Sequence, residues 1–353
     1  MKKIHLRKIQ RPLKTTFSTS LGKKDFINSI IVTVHLSGGS SGSGECPTSF
    51  TMKHETIEAI EKIVLHSSTL LKNKAIEKYP HTIKQMRKLY PWNPMTIAGI
   101  ESALFHAHLA STGVDEHAYF GQKSRTIETD ITIPFTTEYR KMETWLRYAR
   151  MNSFRIYKLK VSGNIHDDRT LITKICDHLT SSGTDFTIRL DGNQGYSVKS
   201  ALTLIDFVRS REYPVELFEQ PIRKDDYGGL REVSGRSSLP IILDETVINT
   251  NDLNRVIGEN LGHGINIKIA KSGIAESLKL YDMAKKHNQK LLIGCMTETM
   301  VGLSTGICLA AGKGDFDYID LDAIHFLRHA HTYGQITIVK NTYHIERSDI
   351  SQC

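Results

Sequence analysis

Apolar and polar positions alternate in two textures along this chain, and the change comes near Glu128. Before it, Ile27 to Leu36 (INSIIVTVHL) is dense in β-branched residues and predicts a strand, with a weaker one over Lys2 to Lys8. Thr15 to Asp25, which contains Gly22-Lys23-Lys24, predicts a polar loop between them. Ser37 to Gly44 (SGGSSGSG) has the composition of a flexible connection and predicts a mobile loop leading from strand to helix. Helices fit His54 to Lys72, Thr82 to Leu89 and Pro94 to Ser111; in the last, Ile97, Ile100, Leu104 and Leu109 recur at roughly helical spacing.

From Glu128 onward, short β-like runs alternate with amphipathic stretches. The runs are Glu128–Ile133, Phe154–Lys160, Phe186–Asp191, Val215–Glu219, Pro240–Asp244, Ile265–Ile269, Lys290–Gly294 and Phe316–Asp320. Helical patterns lie between them at Thr136–Arg150, Asp167–Thr180, Ser197–Arg209, Asn251–Gly258, Gly273–His287 and Thr299–Ala311. Strand-then-helix repeated at about 25 to 30 residues per unit predicts an α/β chain built on a TIM-like (β/α)8 barrel. An open doubly wound sheet is the alternative, but it would carry a glycine-rich phosphate loop after its first strand, and none is found. The expected organisation is an α+β domain over residues 1–122, the barrel over 123–327, and a segment 328–353, with a β-like run at Gln335–Val339, that returns to the N-terminal domain.

Composition narrows the class. Of 353 residues, 39% are hydrophobic and 24% charged, ordinary for a globular protein. The net charge of +8 raises the question of a nucleic-acid partner. Lys and Arg are spread along the chain without a block of like charge or an aromatic-interleaved basic patch, so nucleic acid is not expected as a partner. No apolar stretch approaches a bilayer's thickness, so no membrane partner is expected. The basic start (MKKIHLRK) is not followed by a long apolar run and does not read as a signal peptide. The five cysteines (Cys46, Cys176, Cys295, Cys308, Cys353) form no Cys-x-x-Cys pair, which fits a reducing compartment; a cytoplasmic location is expected.

The chemistry is concentrated at the ends of the predicted strands. Lys158 and Lys160 stand two apart in an alternating run and so project to one face. Two neighbouring ammonium groups repel, and partial desolvation adds to that, tuning a lysine toward the roughly 7–8 range that suits a general base. The following strands end in Asp191, Glu219 and Asp244; then come Lys268 on the sixth and Asp320 on the eighth, with Asp322 two beyond. Strand ends of such a barrel converge on one mouth. Three adjacent carboxylates repel one another unless a hard cation joins them, and an all-oxygen set suits Mg²⁺. Lys160 and Lys268 fall on either flank of that set. One amine on each face of a carbon α to a carboxylate, with a metal on the carboxylate, predicts proton removal from one face through a stabilised enolate and return to the other.

These motifs resemble the enolase superfamily, muconate-lactonising subgroup, and within it the dipeptide epimerases. The matching stretches are Lys158-Leu159-Lys160, Asp191-Gly192-Asn193, Phe218-Glu219-Gln220-Pro221, Asp244-Glu245-Thr246 and Ile267-Lys268-Ile269-Ala270-Lys271-Ser272-Gly273. The resemblance implies a Mg²⁺-dependent isomerase with Asp191, Glu219 and Asp244 on the metal and Lys160 and Lys268 as the two bases. Asn193, Glu245 and Lys271 accompany them in a supporting role. It further implies that Asp320-Leu321-Asp322 holds the α-ammonium group of a dipeptide. Cys295 and Thr297, in Gly294-Cys295-Met296-Thr297-Glu298, would border the peptide backbone, and Thr132 and Lys158 would also touch the substrate, Lys158 near its carboxylate. Residues 1–122 would then be a capping domain whose loops close over the mouth and choose the substrate side chain. With Lys23 and Lys24 in the first loop, that points to dipeptides ending in Glu, such as L-Ala-L-Glu, a fragment type of cell-wall peptides. Glu45, Glu298 and His106 read at least as well as structural residues. A homo-oligomer is expected. The competing enzyme reading is an o-succinylbenzoate synthase or muconate cycloisomerase, which has no need of Asp320 and Asp322; a basic nucleic-acid-binding protein is the reading from another class.

Overall fold

Ile30, Val32 and Val34 bury their side chains beneath the helices of the N-terminal domain, and this stripe holds its sheet in place. The computed structural model describes residues 1–183, 185–329 and 331–346; Cys353 lies outside them. The sheet is antiparallel, in the order β1 (Lys3–Thr19), β2 (Gly22–His35), β3 (Ser41–Pro47). The helices Ile57–Leu71, Tyr79–Leu89 and Pro94–Thr112 pack beside it.

Two expectations for this domain are corrected. The polar loop at Thr15 to Asp25 is instead a continuation of the hairpin: Phe17, Ser18 and Thr19 pair with Lys24, Lys23 and Gly22 around a turn at Ser20-Leu21. Threonines and a phenylalanine favour the extended backbone there, and this outweighs their polarity. The Gly/Ser run is not a mobile loop either. Its second half is β3, pressed against the helix Pro94–Thr112. A Cβ on Gly42 would stand 2.0 Å from the Ala107 nitrogen, and one on Gly44 would stand 2.1 Å from the Gly99 carbonyl oxygen. These glycines serve close backbone approach, not flexibility.

The barrel strands are β5 (Ile131–Ile133), β6 (Ile156–Lys160), β7 (Thr187–Asp191), β8 (Val215–Glu219), β9 (Ile241–Leu243), β10 (Gly264–Ile267), β11 (Lys290–Gly294) and β12 (Tyr318–Asp320). They run parallel in sequence order, each beside the next. Helices follow the strands, as in Ile165–Ser181, Val198–Ser210 and Met300–Lys313. This is a TIM-like barrel with an N-terminal capping domain. It is nearly closed: β12 and β5 share no ladder, and their seam is bridged by Leu321 N–H on Thr129 Oγ1 (2.8 Å) and Thr132 N–H on Asp322 Oδ2 (2.6 Å).

The run Glu128–Ile133 is two strands, because β4 (Thr126–Glu128) leaves the barrel to pair with β14 (Thr342–Ile345), which also pairs with β13 (Ile336–Val339). At the other end of that segment Leu327 bridges Leu13, and Arg328 N–H donates to the Pro12 carbonyl. The strand expected at Ile265–Ile269 stops at Ile267, since Ile269–Ser272 is one helical turn with Lys268 at its N-cap. A helix at Tyr227–Arg236 was not expected from its glycine-rich sequence; Asp226 caps it by accepting from Gly229 N–H. Among the described residues no helix is long and apolar enough to cross a membrane.

Candidate functional site

Parallel register brings the strand-end charges level. Lys160, Asp191 and Glu219 are consecutive partners across β6, β7 and β8. Asp244 follows β9 by one residue and Lys268 follows β10 by one. The two lysines expected to be bases thus stand on β6 and after β10, with the three acids on the strands between them. Lys160 Nζ lies 2.5 Å from Asp191 Oδ2, and Lys268 Nζ 2.7 Å from Asp244 Oδ2. Lys158 is more deeply placed: its amine meets Asp191 at 3.0 Å, Glu219 at 2.7 Å and Asp320 at 2.5 Å. Lys271 donates to Asp244 Oδ1 and to the carbonyls of Asp244, Val247 and Asn266, which fixes the turn after β9.

The expectation that a neighbouring ammonium and partial desolvation lower Lys158 does not hold, and Lys268 is raised as well. Burial works to lower them, but Asp320, Glu219 and Asp191 outweigh it for Lys158, and Asp244 and Glu219 for Lys268, so both are held above the ordinary lysine range. The sequence showed the neighbouring cation; it did not show how many carboxylates the fold brings to each amine. Lys271 is pushed down, chiefly by burial. Against the upward push of burial, Lys160 and Lys158 hold Asp191 down at about 2, and Lys268 and Lys271 hold Asp244 below the usual range.

The acids outnumber their partners. Asp191, Glu219, Asp244, Glu245, Asp320 and Asp322 are all buried, against the four buried lysines 158, 160, 268 and 271. That excess spans the metal-candidate carboxylates and the Asp320–Asp322 pair together. Its effect falls on Glu245, neither of whose oxygens has a hydrogen-bond partner among the described residues and whose carboxyl burial and Asp244 push up to about 8. Glu219 Oε2 and Asn193 Oδ1 are likewise buried without a hydrogen bond, although Lys158 stands close to the former. An all-oxygen set with unsatisfied lone pairs and excess negative charge fits Mg²⁺. Asn193 also gives its N–H to Asp191 Oδ1 at 3.0 Å. Two contributors were missed by sequence reasoning. Asn266 donates to Glu219 Oε1 at 2.7 Å, and Gln220, at φ 35°, accepts from Asp244 N–H. Asn266 shares a face with Lys268 two residues on, a signal that was present in the sequence.

Across the mouth, Asp320, Asp322 and Asp130 form a second acidic group, with one oxygen of each lying within 4.8 Å of the others. Arg189 pairs with Asp130 at 2.7 Å and Lys158 with Asp320. Asp322 accepts from Thr132 N–H and, at 3.9 Å, from the Cys295 thiol, with no cation paired to it among the described residues; burial and Asp320 push its carboxyl up to about 7. Two of the three acids already hold a fixed cation, so the group suits one more positive charge, not a second metal.

The cleft between these groups is walled by Thr132, Cys295, Thr297 and Met296 from the barrel and by Phe17, Thr19, Leu21, Lys24 and Phe50 from the cap. Lys24 reaches in, donating to Thr297 Oγ1 over the Phe50 ring, and burial lowers its amine to about 8. Lys23 is exposed. Glu45 instead ties cap to barrel: it accepts from Ser29, from Thr299 N–H and Oγ1–H, and from Gly302 N–H. His106 is an interior histidine bonded to the Ser43 carbonyl and Glu116. Glu298 accepts from Met296 N–H, and burial with Glu45 raises it to about 8.

Residues 141–348 match the family described as Enolase C-terminal domain-like. The chain is similar to the L-Ala-D/L-amino acid epimerase of Populus trichocarpa, 30% identical over 91% of this chain and 77% of that protein. Among solved structures it resembles the substrate-liganded L-Ala-D/L-Glu epimerase from Bacillus subtilis, with TM-score 0.92, 28% identity, and 98% and 97% of the two chains covered. It also resembles a dipeptide epimerase from Enterococcus faecalis V583 complexed with Mg and L-Leu-L-Tyr, with TM-score 0.90, 25% identity, and 98% and 97% covered.

Proposed function

The chain belongs to the Enolase C-terminal domain-like family, within the enolase superfamily, and from that premise we propose a Mg²⁺-dependent epimerase that inverts the C-terminal α-carbon of dipeptides ending in Glu. The supporting observation is the arrangement of one amine on β6 and one after β10, with three carboxylates on the strands between. Asp191, Glu219 and Asp244 would hold Mg²⁺. When bound there, Mg²⁺ supplies positive charge for the substrate carboxylate and competes for the oxygens that now hold the two amines. Lys160 takes the α-proton from one epimer and Lys268 returns one to the opposite face; for the other epimer the roles exchange. Asp320 and Asp322 receive the substrate's α-ammonium, and Lys24 the Glu side chain. An acidic seat for an amine, separate from the metal cluster, favours this reading over a cycloisomerase. The test is incubation with Mg²⁺ and L-Ala-L-Glu in D₂O, followed by proton NMR. Exchange of the Glu α-hydrogen with appearance of the D-epimer is expected; absence of exchange in every dipeptide tried refutes the proposal.

A further inference from the structure

Asp130 precedes β5 and belongs to the acidic group with Asp320 and Asp322, yet nothing above gives it a task. It is fully buried, and its Oδ2 accepts from Arg189 Nη1 at 2.7 Å. Arg189 is itself shared: its Nε donates to Glu216 at 2.5 Å, and its Nη1 also donates to the Ile319 carbonyl at 2.8 Å. Asp130 Oδ1 has no hydrogen-bond partner among the described residues. A buried carboxylate oxygen left unpaired beside two other carboxylates is costly, and the least costly remedy is a shared proton.

The groups facing Asp130 define the balance. Asp320 and Asp322 come from β12 and the turn after it, Arg189 from β7 and Lys158 from β6. Beyond them, Lys158 is divided among Asp191, Glu219 and Asp320, and Lys268 acts on Asp320 from the far side. Cys295, Tyr148 and Tyr343 border Asp322 and bring no positive charge. Three acids thus share fractions of Arg189, Lys158, Lys268 and Lys160, the lysines being divided with the other carboxylates of the mouth.

We propose that Asp130 is a positioning residue of the ammonium seat: with Asp320 and Asp322 it holds one proton in the free site, and that proton leaves to solvent when the substrate's ammonium arrives. The proposal rests on the reading of Asp320 and Asp322 as that seat. Ammonium binding and proton release are then linked, so affinity for the amine rises with pH until the shared proton is gone. Removing the Asp130 charge relieves the repulsion on Asp322, and the proton dissociates at lower pH.

The experiment is calorimetric titration of the Mg²⁺-loaded protein near pH 7 in two buffers of different ionisation enthalpy. The titrant is a pre-equilibrated mixture of L-Ala-L-Glu and L-Ala-D-Glu, so that no net reaction adds heat, and the N-acetylated peptide is run beside it. Wild type is expected to release a substantial fraction of one proton per amine bound. Asp130→Asn should release less than half as much, with the acid limb of kcat/KM moved to lower pH and kcat little changed; Asp130→Glu should restore the release. An N-acetyl peptide that binds as well as the free amine removes the seat itself. If the amine is required but wild type releases no proton, or Asp130→Asn releases as much as wild type, the role of Asp130 is overturned. The wild-type count decides even where a variant does not fold.

Discussion

Replacing Lys24 by Met should change which dipeptide is preferred without changing the chemistry. The side chain keeps its length and its contact with Phe50, but the charge above that ring is lost. Lys24 is half-buried and has Thr297 Oγ1 as its hydrogen-bonding partner, so a substrate carboxylate would be its sole counter-ion. A charge-assisted hydrogen bond in such a setting contributes about 2 kcal/mol, or roughly a 30-fold effect on kcat/KM. The assay is kcat/KM for L-Ala-L-Glu against L-Ala-L-Leu. Lys24→Met should lose about 30-fold on the first, chiefly through KM, and nothing on the second. The pH dependence gives an independent check. Burial brings the Lys24 amine to about 8, so the charged form dominates below that pH and is lost above it. The preference for Glu should therefore be full at neutral pH and fade as pH rises through about 8, while Leu-ending substrates show no such limb. Equal loss on both substrates would show that Lys24 supports the fold of the hairpin and does not read the side chain.

Lys160→Ala and Lys268→Ala should each abolish epimerisation, by about 10²–10⁴-fold or more. In D₂O each should keep α-hydrogen exchange with one epimer only, and with opposite epimers; two-way turnover in either variant rejects the two-base scheme. Adding Mg²⁺ to chelator-treated protein should raise the unfolding midpoint, by about 2.7 kcal/mol of stability at a hundredfold excess over Kd. Glu219→Gln should lose most of that shift, read by a thermal melt. Gly44→Ala should destabilise the cap by about 3 kcal/mol or more, because its Cβ would meet backbone 2.1 Å away; a denaturant midpoint unchanged from wild type contradicts the packing account.

The barrel was legible because its strands are short apolar runs, most of them ending in or just before a charge, and Val215–Glu219 and Lys290–Gly294 have the bounds expected of them. The site was legible for the same reason: parallel register turns equal positions in successive strands into neighbours in space. What could not be read depends on contacts distant in sequence. The glycines of β3 look flexible until the helix Pro94–Thr112 is laid against them. Lys158 looks depressed by its neighbour Lys160 until Asp320, Glu219 and Asp191 are brought to it from other strands. Asn266 lies outside the matched motifs and Gln220, though inside one, is uncharged, yet they set the orientation of Glu219 and the backbone of Asp244.

The same distinction predicts that specificity and chemistry are separable at the cap. Lys24 enters the cleft from the β1–β2 turn, but that turn is held to the barrel by other groups: Ser20 Oγ–H donates to the Asn193 carbonyl at 3.1 Å, and Phe135 N–H to the Ser18 carbonyl at 3.3 Å. Glu45 holds the opposite wall, where Thr299 and Gly302 begin the helix that follows the Cys295–Glu298 stretch. Glu45→Ala would leave the buried Ser29 hydroxyl without its acceptor, at about 1–3 kcal/mol, and deprive the half-buried Thr299 and Gly302 amides of theirs. The resulting slack at Thr297 and Cys295 bears on every substrate alike. Glu45→Ala should therefore lower kcat/KM for L-Ala-L-Glu and L-Ala-L-Leu by the same factor, together with a fall in thermal stability. A selective loss on the Glu-ending peptide would instead place Glu45 in side-chain recognition and undo the division between a cap that selects and a barrel that reacts.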